Sequence, residues 1–465
     1  MGFVMTISEP RKIVIVGLGT GGLYSAKTAL GFNRKAEITI IEKRPYDMFS
    51  PCGLPFAIEG VVGSFEDLKY DVPDHLRRMK KMLAHEVQSI NPSKKTVEVK
   101  NLDTWETKNI EYDSLVLATG GRPILLPVPG AKELIENGVY FVSTIENSEM
   151  VRSAAEKAKH AVMIGGGPIG LEIAIALKAR GVELAITKRS PPVFPKVLDV
   201  DMGEIVEKYL REQNFKLFFG KKTERINTDD DGNISSVTIE GEDVPADMVV
   251  MGVGTEANTD LALQAGLEVG KYGIKVDDHL RTSDPNIYAL GDCIESFNLV
   301  NKQPMPSQLA TAAFLQGHVV GVNAAGGEVV YEGDLATFAT VIGELEIAAV
   351  GFNTPSAEDA GFKVISGKSK GKSKPEYMPG SAPVTVKIII DKENGKILGG
   401  QVIAEKGGGG AGWRVNLISM AIRTGMTIDQ FAEIELAYTP PISEVYDPLS
   451  MASEFGAKKY NQLQK

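Results

Sequence analysis

Two glycine-rich turns of one design, Gly17-Leu18-Gly19-Thr20-Gly21-Gly22 and Gly165-Gly166-Gly167-Pro168-Ile169-Gly170, stand about one domain apart in the chain. Each needs its glycines in turn: for a tight strand-to-helix turn, for close backbone approach to a pyrophosphate, and for helix–sheet packing. The first copy follows the apolar run Ile13-Val14-Ile15-Val16 and opens a helix-like stretch from Leu23 to Leu30. A second strand, Glu37-Ile38-Thr39-Ile40-Ile41, then ends at Glu42. That acid stands about 20 residues past the last glycine, where a carboxylate accepts both hydroxyls of an adenosine ribose. Gly17, Gly19, Thr20, Gly22, Glu42 and its neighbour Lys43 are therefore the candidate contacts to a first dinucleotide.

The second copy pairs the strand Ala161-Val162-Met163-Ile164 with a helix from Leu171 to Arg180, and makes Gly165, Gly167, Ile169 and Gly170 its candidate contacts. Its next strand, Val182 to Thr187, ends in Lys188-Arg189 rather than an acid. A carboxylate there would repel a 2'-phosphate and two cations would attract it, so the site is expected to prefer NADPH or to accept NADPH and NADH. A solvated basic turn beside Ser190 and Pro191 is the competing reading.

With 465 residues and 43% hydrophobic content, the chain is long enough for three ordinary domains. A net charge of −10 argues against nucleic-acid binding. The local exception is Lys368-Ser369-Lys370-Gly371-Lys372-Ser373-Lys374, expected to be a loop. Two cysteines, Cys52 and Cys293, are too few for a disulfide framework, and five scattered histidines show no ligand spacing, which fits a reducing cytoplasm. The amino terminus lacks the charged and apolar regions of a secretion signal. It matches a myristoylation pattern at Gly2 but is read as an ordinary ragged start. The longest apolar stretch surrounds the second glycine turn and carries Glu172, so a buried strand and helix are expected there instead of a membrane span.

Val97-Glu98-Val99 and Ile110 to Leu117 read as antiparallel strands closing on Thr119-Gly120, and Gly254-Thr255 echoes that turn. Tyr288-Ala289-Leu290-Gly291-Asp292 reads as a strand ending in an exposed acid able to accept a hydrogen bond from a flavin ribityl hydroxyl. The helix expected from Leu309 to Val319 would turn its positive end toward the flavin pyrimidine. A fresh α+β pattern starts near Tyr331.

The double fingerprint, the Thr-Gly turns, the Asp292 strand and Tyr438-Thr439-Pro440-Pro441 together resemble the flavin-dependent pyridine nucleotide-disulfide oxidoreductases over nearly the full length. Ser50-Pro51-Cys52-Gly53-Leu54-Pro55-Phe56 resembles their single-cysteine branch: coenzyme A-disulfide reductases, NADH oxidases and peroxidases, and polysulfide reductases. Members with a cysteine pair carry the second thiol where this chain has Ala57. The resemblance implies an α/β fold of two Rossmann-like, three-layer nucleotide-binding domains plus a C-terminal α+β dimerisation domain. Expected boundaries are 1–120 and 255–330 for the FAD-binding domain, 121–254 for the NAD(P)-binding domain and 331–465 for dimerisation. Thr119, Gly120, Asp292 and Gly254 join the cofactor contacts, and Glu172 resembles a family acid near the nicotinamide, helix solubility being the other account of it.

The same resemblance implies a homodimer in which Cys52 faces the flavin while Tyr438, and Tyr377 of Tyr377-Met378-Pro379-Gly380, point at Cys52 of the other subunit. With one protein sulphur, the second half of the redox pair is external, as a mixed disulfide with coenzyme A, a persulfide or a sulfenic acid. The residues after Cys52 suggest a helix start, where backbone amides favour a thiolate. The oxidases and peroxidases usually carry a histidine at the position of Thr20, and a gating tyrosine often stands at that of Pro168. A disulfide, persulfide or polysulfide reductase is thus the leading expectation. An NAD(P)H oxidase and a flavoprotein electron carrier for a protein partner remain open beside it. The Lys368 to Lys374 cluster, or Arg77, Arg78, Lys80 and Lys81, could meet coenzyme A phosphates, with a solvated flexible loop as the alternative for the first.

Overall fold

Runs of β-branched residues with no polar alternation belong to strands buried on both faces. In the computed structural model, which describes residues 9–72 and 79–465, such a run forms Arg11–Val16 at the centre of five parallel strands. Their order is Ile287–Ala289, Ser114–Leu117, Arg11–Val16, Ala36–Ile41 and Lys80–Met82. Gly2, Arg77 and Arg78 lie outside the described residues. The chain divides into two units, of which this sheet centres the first, built from the stretch ending at Leu54 with Gly63–Ile124 and Thr255–Asp334.

The helices Thr20–Phe32 and Ala310–Ala324 lie against each other in that unit because Gly317 and Gly321 remove side chains at the crossing. A Cβ on Gly317 would stand 2.9 Å from that of Tyr24, and one on Gly321 2.5 Å from the Ser25 carbonyl oxygen. The expected single strand from Ile110 to Leu117 is instead two. Thr107–Glu111 ends an antiparallel three-stranded sheet, and Ser114–Leu117 enters the parallel one. Asp113 causes the break by turning its carboxylate to accept the Lys12 N–H at 2.7 Å.

The second unit contains Pro55–Val62, Leu125–Gly254 and Leu335–Lys465. Its parallel sheet runs Val139–Tyr140, Met248–Met251, His160–Ile164, Glu183–Lys188, Lys216–Phe219. A five-stranded antiparallel sheet follows in the order Phe338–Ile342, Leu345–Gly351, Ile397–Glu405, Pro383–Asp391, Val364–Lys372. Helices Ala411–Thr424 and Pro448–Leu463 accompany it. Among the described residues no helix is long and apolar enough to cross a membrane.

The Lys368 to Lys374 segment is therefore strand and strand end, not loop. Period-two alternation explains it: Ser369 and Ser373 are buried, while Lys368 and Lys370 are exposed. Ser369 Oγ donates to the Pro448 carbonyl and Ser373 Oγ accepts the Ala382 N–H.

Candidate active site

The first glycine turn has the clearances a dinucleotide requires. Gly17 takes φ +102° and its N–H donates to the Ile41 carbonyl at 2.8 Å, while a Cβ there would strike the Ala118 carbonyl. A Cβ on Gly22 would strike the carbonyl of Gly17, so this glycine lets helix and strand close up. Gly19 faces open space at the start of Thr20–Phe32, whose first turn has neither side-chain cap nor acid. Free N–H groups and the positive helix end remain there for a pyrophosphate, and these residues fit the adenine-dinucleotide end of FAD.

Glu42 is buried at the end of Ala36–Ile41, where it accepts the Leu18 N–H at 2.7 Å. Arg44 clamps it from the other side with Nε and Nη2, both at 2.9 Å. Burial alone would raise the Glu42 carboxyl, but Arg44 and the backbone donors hold it below the usual range. Lys43, singled out by sequence, is exposed. Arg44 was the missed residue, although its place two positions after the acid was visible.

The same guanidinium lies 5.1 Å from the Phe49 ring, which leads into the candidate redox turn. Cys52 is exposed inside the 3₁₀ turn Pro51–Gly53, and the helix Leu54–Glu59 begins only after it. The turn is tied down by the Ser50 N–H on the Leu68 carbonyl at 2.9 Å and by Gly53, where a Cβ would overlap the Leu68 side chain. Tyr70 pairs in register with Met48 on the short ladder beside this turn. Burial, then Tyr24 and Cys52, push its phenol up, and Arg44 partly offsets them. No sequence motif pointed to Tyr70, because its position depends on a two-residue strand.

Thr119 Oγ1 donates to the Asn258 carbonyl at 2.9 Å, and Asn258 Nδ2 returns a bond to the Thr119 carbonyl at 2.8 Å. Gly120 and Gly254 take φ +66° and +107° in their turns. Asp292 differs from expectation: it sits half-buried in the 3₁₀ turn Gly291–Cys293, and burial pushes its carboxyl up to about 6. Between pH 4 and 6 the folded chain holds a proton that the unfolded chain has released, so folding stability falls as pH rises through that window. The Asp292→Asn protein stripped of flavin should thus be about 1–3 kcal/mol more stable than its parent at pH 7, the gain vanishing near pH 4. Urea unfolding at both pH values checks it, and a pH-independent difference would refute this account. Cys293 is 0% exposed, its Sγ on the Leu290 carbonyl at 3.2 Å, and burial raises its thiol.

In the second unit Gly165 takes φ +125° with no room for a Cβ against the Gly252 carbonyl, and a Cβ on Gly170 would lie 2.7 Å from the Gly165 oxygen. Gly167 is open at the start of Pro168–Ala179, and Ile169 is exposed beside it. Lys188 is half-buried, its ammonium donating to the carbonyls of Ser190 and of Pro192, the latter at 2.9 Å. Burial lowers its pKa. Arg189 is exposed. Glu172 is not a solubilising surface acid: it accepts a hydrogen bond from Thr340 Oγ1, and burial raises it despite that bond.

Tyr377 and Tyr438, far apart in the chain, meet through their phenols on the surface of the second unit, 73% and 46% exposed. What burial it has, then Tyr377, push the Tyr438 hydroxyl up, keeping it a donor. Of the basic clusters, Lys368 binds Asp201 at 2.7 Å and Lys372 lies 3.8 Å from Glu376. Lys81 pairs with Asp47, and Lys80 is exposed.

The family model described as pyridine nucleotide-disulphide oxidoreductase matches residues 11–317, and that of its dimerisation domain matches 337–449. The chain is 35% identical to a protein named NADH oxidase from Methanocaldococcus jannaschii over 96% of its own length and 99% of the relative's. It is 30% identical to a coenzyme A disulfide reductase of Staphylococcus haemolyticus, covering 95% of this chain and 98% of that one. Among solved structures, an NAD-dependent persulfide reductase from A. fulgidus superposes with a TM-score of 0.91 at 32% identity, covering 97% of this chain and 84% of that chain.

Proposed function

Since the chain belongs to the FAD-dependent pyridine nucleotide-disulphide oxidoreductases, we propose that it uses NADPH, and also NADH, to reduce coenzyme A disulfide or a related persulfide or polysulfide through Cys52. The observation that carries this reading is one exposed thiol in a tethered turn of the first unit, with the second cysteine fully buried. FAD in the first cradle supplies the two-electron relay between nicotinamide and sulphur. The chain's own chemistry is thiol–disulfide exchange. The Cys52 thiolate attacks one sulphur of R–S–S–R, the S–S bond breaks, and one thiolate leaves and takes a proton. Cys52 remains in a mixed disulfide. Two electrons and a proton then release the second thiol and restore the Cys52 thiolate.

Tyr438, a protonated phenol hydrogen-bonded to Tyr377, is suited to donate the proton to a departing thiolate. We place these two residues at Cys52 of the partner in a homodimer, which the match to a dimerisation domain favours. An enzyme of this kind, acting on small thiols, suits a reducing cytoplasm. The domain assignment follows: 1–120 and 255–330 for FAD, 121–254 for the nicotinamide nucleotide and 331–465 for the dimer.

Reduction of oxygen is the second reading, favoured by the 35% identical relative named NADH oxidase. Against it stands Thr20 at the position where the oxidases and peroxidases of the resembling branch usually carry a histidine. Anaerobic NADPH oxidation by the FAD-loaded protein separates the readings. Fast turnover with coenzyme A disulfide or polysulfide, and none without acceptor, is the expected result. Turnover that requires oxygen and ignores both sulphur acceptors would replace the reductase by the oxidase.

A further inference from the structure

The segment that follows the second nucleotide fold, residues 189–199, is held at both ends by side chains outside it. At its start Lys188 turns back, donating to the Ser190 and Pro192 carbonyls, while its stem lies under the glycine turn, where a Cβ on Gly166 would come 2.9 Å from Lys188 Cδ. Midway, the Val193 N–H donates to Glu207 Oε1 at 3.1 Å, and the buried Phe194 ring lies 6.3 Å from Phe338. At its end Asn353 Nδ2 donates to the carbonyls of Pro195 at 3.0 Å and Leu198 at 3.2 Å. Asp199 accepts the N–H and hydroxyl of Thr354 at 2.7 Å each and pairs with Lys387 at 2.6 Å. Its own N–H donates to Gln401 Oε1 at 2.8 Å.

We propose that Lys188 and Asn353 are positioning residues that build segment 189–199 into a preformed wall of the NADPH site, leaving Arg189 as the group that reads the 2'-phosphate. The inference rests on the nucleotide assignment above. Lys188 directs two of its three N–H donors to backbone carbonyls of the segment, and an ammonium so placed supports the loop for any dinucleotide. Arg189 is exposed, and a guanidinium can present two parallel donors to phosphate oxygens. Ordering the wall before the ligand arrives removes an entropic cost that a mobile segment would meet on binding. Asn353 comes from the antiparallel-sheet part of the unit, so that part contributes to nucleotide affinity without touching the nucleotide.

The test uses FAD-loaded Lys188→Met, Asn353→Asp and Arg189→Met proteins. Aspartate at 353 can still cap the helix Thr354–Asp359 as Asn353 does through Ser356 N–H, while losing both donated bonds. Two quantities are measured: calorimetric affinity of the oxidised enzyme for NADP⁺ and NAD⁺, and hydrogen–deuterium exchange of 189–199 without nucleotide. Lys188→Met and Asn353→Asp should weaken both nucleotides by similar factors, roughly tenfold, and speed exchange in the segment. Arg189→Met should weaken NADP⁺ by about tenfold or more with NAD⁺ unchanged and exchange unaltered. Selective loss of NADP⁺ in Lys188→Met with unchanged exchange overturns the division of roles. If the parent binds neither nucleotide, the nucleotide assignment falls, while the exchange data alone still decide whether Lys188 and Asn353 fix the segment.

Discussion

Replacing Cys52 by serine should lower disulfide turnover at least ~10³-fold while NADPH still bleaches the flavin at the parent rate. The substitution removes one sulphur and little volume, and the turn that carries it is held by the Ser50–Leu68 backbone bond and by Gly53, neither of which involves the thiol. A serine hydroxyl neither forms a stable mixed disulfide nor ionises usefully near neutral pH. Cys293 cannot stand in, because it is fully buried and burial raises its pKa. Stopped-flow absorbance at the flavin band, paired with anaerobic steady-state assays, separates the two halves of the cycle. Intact disulfide turnover would remove Cys52 from the reaction, and electron transfer to a protein partner that survives the substitution would favour the carrier reading. Equal loss of both halves would mean that Cys52 supports the fold or the flavin, and the proposed role would fall.

What could be read from the sequence depended on the range of the interaction. Gly17, Gly22, Gly165 and Gly170 were legible because the spacing of each fingerprint is local, and the Cβ clashes at Gly22 and Gly170 fall within their own turn; the carbonyls of Ala118 and Gly252 that crowd Gly17 and Gly165 come from far along the chain and only the fold reveals them. Glu42 was legible from local spacing too, as the end of the next strand. Asp292 follows the expected strand but stands in a 3₁₀ turn beyond its end, half-buried instead of exposed, since its burial comes from the fold around the strand end. The Lys368 to Lys374 run misled because serine and lysine alternate without an apolar residue, and only the packing of Ser369 on Pro448 reveals the buried face. Arg44 stands two residues from Glu42, within the range that the sequence exposes. Tyr70 and Asn353 lie outside it, as their partners are separated from them by short ladders or by well over a hundred residues.

Exchanging Arg414 for leucine should cost the folded protein about 3–5 kcal/mol, because it strands a buried carboxylate. Arg414 and Asp447 are each about 1% exposed. The guanidinium forks onto the carboxylate, Nε to Oδ1 at 2.9 Å and Nη2 to Oδ2 at 2.5 Å, and Nη1 donates to the carbonyls of Gly409 and Gly410. Asp447 also caps the helix Pro448–Leu463, its Oδ1 accepting the Leu449 N–H at 2.8 Å. The segment that carries Tyr438 ends at this acid, so the pair fixes the far end of the segment on which the proposed proton donor stands. Loss of the cation leaves Asp447 with the helix N–H but without its counter-charge, whereas pairing Arg414→Leu with Asp447→Asn removes the stranded charge and retains a capping oxygen. The double variant should therefore be more stable than Arg414→Leu alone, a non-additive outcome read from denaturant unfolding of the four proteins in a double-mutant cycle. A single-variant loss below about 1 kcal/mol would mean that the pair behaves like a solvated surface bridge, and the anchoring of the Tyr438 segment would need another source.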